Sequence, residues 1–209
     1  MEKPYRIFAA GIGWFALALQ YWLIVRLKTD GDLVAGAVRF FSYFTILSNI
    51  LVALAMTLPW AAPRSRLGRF SLEPSVRTAI LVYIVVVAVI YHLLLRHLWN
   101  PQGWQLVADG LLHVAAPAMY VVDWFLFVPK GTVPFRSAFA WLGFPVLYAG
   151  YSLAHGAATG FYPYPFIDVS RLGLERTLID MGMLLFLFGG LGLFAIALDR
   201  LLARMRAKD

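Results

Sequence analysis

The chain has 209 residues, of which 61% are hydrophobic and only 14% are charged. This composition, with a mean hydropathy of +0.74, is typical of an integral membrane protein and excludes an ordinary soluble domain. The absence of cysteine excludes disulfides, thiolate metal ligands and a thiol nucleophile. The net charge of +7 is explained mostly by the excess of basic residues in cytoplasmic loops and by attraction to anionic lipid headgroups. We therefore expect no nucleic-acid partner.

The chain contains six segments long enough to span a bilayer as helices, each with about 20 mostly apolar residues. In chain order they cover residues 5–25, 40–59, 77–98, 105–128, 137–158 and 177–199. The links between them are too short to form another domain. The sequence therefore predicts an all-α fold, a single polytopic membrane domain over residues 1–209 built as a six-transmembrane-helix bundle.

The distribution of basic residues predicts the orientation. Twelve of the 18 lysines and arginines lie on the side that holds both termini, and six lie on the opposite side. Because basic residues concentrate in cytoplasmic loops, both termini are expected in the cytoplasm. The protein is expected in the plasma membrane, which in a bacterium is the inner membrane.

Most polar side chains within the spans share one depth, in the half of the membrane nearer the outside. An ionisable group in hydrocarbon costs roughly 2.5–3.5 kcal/mol, so several at one level indicate a shared site. They come from five spans: Thr45, Ser48, Asn49, His92, Asp109, His113, His155 and Asp180.

The spacing of these residues predicts a cavity. Ser42, Thr45, Ser48, Asn49 and Val52 form one stripe of the second span. Similar stripes follow in the fourth span, where Asp109, His113, Pro117 and Tyr120 share a face, and in the fifth, where Ser152 and His155 do. We expect the active site in the outer-leaflet half of the membrane. The expected substrate-binding residues are Ser48, Tyr120, Ser152, and Trp104 and Tyr164 in two outer loops.

The residue types fit nucleophilic catalysis, which needs a hydroxyl, a nearby base and a group that orients the base. The residues themselves do not choose between Ser42, Thr45 and Ser48 as nucleophile. One alternative is a zinc-dependent lipid hydrolase with His92, His113, His155 and an aspartate as ligands. The other is a binding or transport protein for lipids or small molecules.

The inner half of the membrane holds one acidic residue, Asp123, near the cytoplasmic end of the fourth span. We expect a structural role for it, in an ion pair with a nearby basic residue such as Lys130 or Arg136.

Several motifs resemble those of the androgen-induced protein family of six-span membrane hydrolases and its bacterial relatives. Phe41-Ser42-Tyr43-Phe44-Thr45-Ile46-Leu47-Ser48-Asn49 is similar to the family's threonine segment. Asp109-Gly110-Leu111-Leu112-His113-Val114-Ala115-Ala116-Pro117 is similar to its histidine segment. His155, Thr159-Gly160 and Tyr164-Pro165-Phe166 resemble its last outer stretch.

The resemblance implies a hydrolase of fatty-acid esters of hydroxy fatty acids, with no cofactor and no metal. Thr45 would be the nucleophile and His113 the general base. Asn49, one turn deeper, is the candidate oxyanion donor. Asp109 or Asp180 would orient His113, and His92 and His155 are expected to support the site.

Overall fold

The computed structural model describes residues 1–207, which fold into helices joined by short links, without a β-strand in this range. Contacts divide the chain into two compact units, residues 1–132 and residues 133–209. Five helices are long and apolar enough to cross a membrane. The prediction of a helical membrane protein is therefore confirmed at that level.

Unit 1 contains six helices. They are α1 (Glu2–Lys28), α2 (Leu33–Phe41), α3 (Phe44–Ala61), α4 (Arg66–Leu72), α5 (Pro74–Leu98) and α6 (Trp104–Phe127). The short helices α2 and α4 begin at capping side chains: Asp32 accepts hydrogen bonds from Val34 N and Ala35 N, and Ser65 accepts one from Gly68 N. Helices α1, α3, α5 and α6 are four of the five candidate spans.

The second predicted span, 40–59, begins later than predicted, because residues 40 and 41 belong to α2. Ser42 ends that helix, and its hydroxyl donates to Val38 O at 2.7 Å. Tyr43 has extended backbone and precedes the first residue of α3. Ser42 therefore lies outside the helix that carries Thr45, and the predicted polar stripe does not run through it.

Helix α1 packs antiparallel to α6. The Tyr5 hydroxyl donates to Met119 O at 2.7 Å near one end, and Gln105 Nε2 donates to Gln20 Oε1 at 2.9 Å near the other. Each of these bonds satisfies a polar group within the helix bundle.

Helices α1, α5 and α6 also meet at a polar cluster around Asp123. The partners of Asp123 in this cluster differ from the expected ones. Arg6 Nε donates to Asp123 Oδ1 at 2.8 Å, and an Arg77 amino group donates to Asp123 Oδ2. All three side chains are buried. The predicted ion pair of Asp123 with a basic residue is therefore confirmed, but its partners are Arg6 and Arg77 and not the suggested Lys130 or Arg136. Helix α5 begins at Pro74, three residues before the predicted span, so Arg77 lies one turn inside the helix.

Unit 2 contains α7 (Ser137–Trp141), α8 (Gly143–Thr159), a 3₁₀ turn (Pro165–Ile167), α9 (Val169–Leu172) and α10 (Leu174–Arg206). Helix α10 is the fifth candidate span. The segment predicted as one span over 137–158 is divided between α7 and α8 at Leu142. Pro145 explains the division, because it has no N–H to donate and its ring clashes with the carbonyl four residues earlier, at Trp141.

Candidate active site

Two π-helical turns face each other in unit 1. Tyr91–Leu95 is a π turn within α5, and Leu111–Ala115 is one within α6. Such turns insert one extra residue into an α-helix and occur frequently at functional sites. The rings of Tyr91 and His113 stack with centroids 3.9 Å apart and planes 14° apart. The two irregular turns therefore bring an aromatic ring and an imidazole together.

Asp109 contacts the side chains of both Tyr91 and His113. His113 Nδ1 lies 3.1 Å from the Asp109 backbone oxygen and 3.3 Å from Asp109 Oδ1. The Tyr91 hydroxyl donates to the other carboxylate oxygen, Oδ2. Because the backbone oxygen can only accept a hydrogen bond, we assign the proton of the neutral imidazole to Nδ1. In that tautomer Nε2 carries the lone pair and is a hydrogen-bond acceptor.

Asn49 connects α3 to the π turn of α6. Its Nδ2 donates to Thr45 O at 2.8 Å and to Leu112 O at 3.2 Å, and Leu112 directly precedes His113. The amide Oδ1 is buried and accepts no hydrogen bond from the described residues. Both N–H groups of the amide are thus used by backbone carbonyls. Asn49 presents an acceptor, whereas the predicted oxyanion role requires a donor.

Thr45 and Ser48 lie on the same helix as Asn49. Thr45 is the second residue of α3, one turn before Asn49, and is 9% exposed. Ser48 is fully buried, and its Oγ makes no hydrogen bond within residues 1–207. Both residues are therefore in the protein interior.

Three other residues that the sequence predicted for the site also belong to unit 1, and their surroundings differ from one another. His92 Nδ1 donates to Ala88 O at 2.8 Å, and its ring meets the Tyr91 ring edge-on at 5.1 Å. Trp104 is exposed at the start of α6. Tyr120 is fully buried, donates to Arg77 O at 3.2 Å and belongs to the Asp123 cluster.

The π turn explains the position of Tyr120. An extra residue rotates everything beyond it by about 100° relative to an uninterrupted α-helix. The sequence placed Tyr120 on the face of Asp109 and His113 by assuming regular α-helical spacing. Since the π turn covers 111–115, that spacing does not hold past His113.

In unit 2, His155 contacts the loop that follows α8. Its Nδ1 lies 3.3 Å from Thr159 Oγ1 and 3.4 Å from Phe161 O. The Tyr162 ring packs directly on Gly156, where an added Cβ would lie 2.0 Å from Tyr162 Cε1. The loop therefore folds back against α8 beside His155.

The remaining predicted residues of unit 2 have local partners or none. Ser152 is buried one turn before His155, and its Oγ makes no hydrogen bond within the described chain. Asp180 Oδ1 lies 3.0 Å from Arg176 Nε, one turn earlier on α10. Tyr164 stacks on Phe166 at 5.3 Å. Asp109, one of the two acids considered for orienting His113, is in contact with it.

Tyr91 is the residue of the cluster that sequence reasoning missed. A tyrosine in an apolar span is common, and its hydroxyl gave no signal by itself. The available signal was its position next to His92 at the depth of the other polar residues. Its contact with Asp109 also depends on two π turns, which regular periodicity does not predict.

Among residues 1–207, no three or more His, Cys, Asp or Glu side chains are grouped so that they could hold a metal ion. No protein-family model, curated protein or solved structure matches the chain significantly. The resemblance of the Thr45, His113 and His155 motifs to a hydrolase family therefore stays a prediction.

Proposed function

We propose that this protein is an intramembrane hydrolase that cleaves fatty-acid esters, with Thr45 as nucleophile and His113 as general base. One observation carries the proposal: Nδ1 of His113 faces both the backbone oxygen and the carboxylate of buried Asp109. An imidazole oriented in this way by an acid is the base arrangement of nucleophilic hydrolases.

The proposed reaction has two steps. Thr45 Oγ attacks the ester carbonyl carbon, and its proton passes to His113 Nε2. The intermediate expels the alcohol, which takes that proton and leaves the fatty acyl group on Thr45. Water then attacks the acyl group, giving a proton to Nε2. The fatty acid departs as the Thr45 oxygen regains this proton.

Two further features support Thr45 in this role. It lies in the first turn of α3, where the partial positive charge of the helix N-terminus favours negative charge that develops nearby. Asn49 fastens that turn to the backbone of Leu112, so α3 is held against the π turn that contains His113. Ser42, the competing hydroxyl, is bonded to its own helix at Val38 O.

We further propose six spans, with α8 as the additional one, both termini in the cytoplasm, and the site in the outer-leaflet half of the plasma membrane. Loop cysteines at the two ends of α6 test this orientation, because the chain has no cysteine of its own. Asn100→Cys and Thr132→Cys both replace exposed residues. A membrane-impermeant thiol reagent should label Asn100→Cys in intact cells and Thr132→Cys only after permeabilisation. The reverse pattern would contradict the orientation.

The hydrolase proposal is tested with purified protein in nanodiscs and a fluorogenic long-chain fatty-acid ester. Thr45→Val keeps the shape of the side chain and removes the hydroxyl, whereas Thr45→Ser keeps the hydroxyl. We expect kcat at background for Thr45→Val and a measurable kcat for Thr45→Ser. Thr57→Val is the matched control, because Thr57 is on the same helix and bonds only Ala53 O and Trp14 Nε1.

Thr57→Val should keep nearly the parent kcat. Full activity in Thr45→Val would overturn the threonine mechanism. A parent protein that hydrolyses neither this ester nor a fatty-acid ester of a hydroxy fatty acid would overturn the proposed function itself.

A further inference from the structure

We infer that Tyr91 is a positioning residue of the proposed hydrolase, one that fixes the orientation of both Asp109 and His113. The inference rests on the proposed function for its kinetic consequence. It starts from two contacts of one side chain: the Tyr91 hydroxyl bonds Asp109 Oδ2, and the Tyr91 ring stacks on the imidazole of His113 at 3.9 Å.

The hydroxyl contact restrains the carboxylate. The torsion that rotates an aspartate carboxylate is broad and has no sharp minimum. With Oδ2 held by Tyr91, the opposite oxygen Oδ1 stays directed at His113, 3.3 Å from Nδ1. Without that bond the carboxylate is free to turn away from Nδ1, whose hydrogen-bond acceptor in the structure is the Asp109 backbone oxygen.

The ring contact restrains the imidazole. Planes only 14° apart at 3.9 Å leave no room for the His113 ring to rotate through the perpendicular orientation. Rotation by half a turn would exchange Nδ1 and Nε2, because the torsion of a histidine ring is roughly two-fold. The stack thus keeps Nδ1 towards Asp109 and Nε2 away from it.

Both restraints depend on the π turns. Tyr91 is the first residue of one π turn, and His113 is the middle residue of the other. His92, the next residue after Tyr91, is anchored by its bond to Ala88 O at 2.8 Å. The extra residue in each turn therefore has a role, since it sets the register at which the two rings overlap.

The experiment compares Tyr91→Phe with Tyr5→Phe. The first variant keeps the ring and removes the hydroxyl bond to Asp109. The second removes an interhelical tyrosine hydroxyl bond in the same unit, to Met119 O, six residues beyond His113 in the chain. Protein with ¹⁵N-labelled histidine gives the tautomer of each imidazole by NMR, and His113→Gln identifies the His113 signals.

We expect His113 to be protonated on Nδ1 in the parent and in both variants, because the Asp109 backbone oxygen remains its acceptor. The ¹⁵N shift of His113 Nδ1 should change in Tyr91→Phe and not in Tyr5→Phe, because only the first variant releases the carboxylate that faces Nδ1. In the ester assay, Tyr91→Phe should lower kcat about 10-fold to 100-fold, the size of one hydrogen bond to a charged group. Its KM should stay near the parent value, since Tyr91 is not proposed to touch the substrate.

An unchanged ¹⁵N shift of His113 Nδ1 and an unchanged kcat in Tyr91→Phe would overturn the inference and leave Tyr91 with a packing role. The NMR measurement needs no substrate. A parent protein without esterase activity would therefore defeat the proposed function, while the NMR result would still decide whether Tyr91 fixes His113.

Discussion

Helix α6 carries two buried aspartates whose surroundings differ in kind. Asp109 and Asp123 are 14 positions apart, or about 20 Å along a helix. Asp123 is held by two guanidinium groups, from Arg6 and Arg77. Asp109 is held by the hydroxyl of Tyr91 and faces the imidazole of His113. The burial of an acid in a membrane helix therefore does not by itself indicate a catalytic role. The groups that contact the acid are the better guide.

The partners decide what each cluster is able to do. Arginine stays protonated in proteins, so the Asp123 cluster has fixed charges that join α1, α5 and α6. Histidine gains and loses a proton near neutral pH. In the proposed mechanism the Asp109 cluster therefore transfers protons, whereas the Asp123 cluster stabilises the packing of the three helices.

The largest effect expected from the comparison of the Asp109 and Asp123 clusters is that of substituting His113. His113→Gln should lower kcat for ester hydrolysis by about 10²–10⁴-fold, the usual contribution of a general base, while its unfolding midpoint stays near that of the parent. The control is His97→Gln, which changes an exposed histidine in the turn that ends α5. Equal activity of the two variants would remove the chemical role from the Asp109 cluster.

The Asp123 cluster should respond in the opposite way. Asp123→Asn leaves two buried guanidiniums without their carboxylate, and we expect the free energy of unfolding to fall by about 3–5 kcal/mol. The matched variant is Asp109→Asn, which should lose activity with a smaller loss of stability. Denaturant unfolding in detergent micelles measures both. A larger stability loss for Asp109→Asn would reverse the assignment.

A smaller loss of stability is expected from a substitution in α3. Asn49→Ala removes the donor to Thr45 O and Leu112 O and should lower the free energy of unfolding by about 1–3 kcal/mol. Ser48→Ala, at the neighbouring buried position, removes an Oγ that has no hydrogen bond in the described chain. It should be nearly neutral for stability and keep most of the activity. Equal losses for both variants would contradict the role assigned to Asn49.

The sequence predicted most of the long helices but not all of their bounds. Hydropathy located α1, α3, α5, α6 and α10, because long apolar runs need little tertiary information to be recognised. It did not locate the division at Leu142, although Pro145 was a visible cause. It also merged Phe40 and Phe41 with the second span, because apolar residues continue from α2 into α3.

At the level of side chains, four-residue spacing within one helix was informative, and longer spacing was not. Asp109 and His113 were predicted to lie together, and four-residue spacing sufficed to pair them. Tyr120 and Tyr91 were misplaced or missed because π turns change the register that periodicity assumes. The partners of Asp123 depend on three helices packing together, which sequence spacing does not encode.

The central claim is that Thr45 carries the acyl group during hydrolysis. The most direct measurement treats the parent protein with a fluorophosphonate probe and identifies the modified residue by peptide mass spectrometry. The account predicts one adduct, on Thr45, which is absent from Thr45→Val and is blocked by prior incubation with a long-chain ester. An adduct on Ser48 or another residue, in protein that hydrolyses the ester, would contradict it.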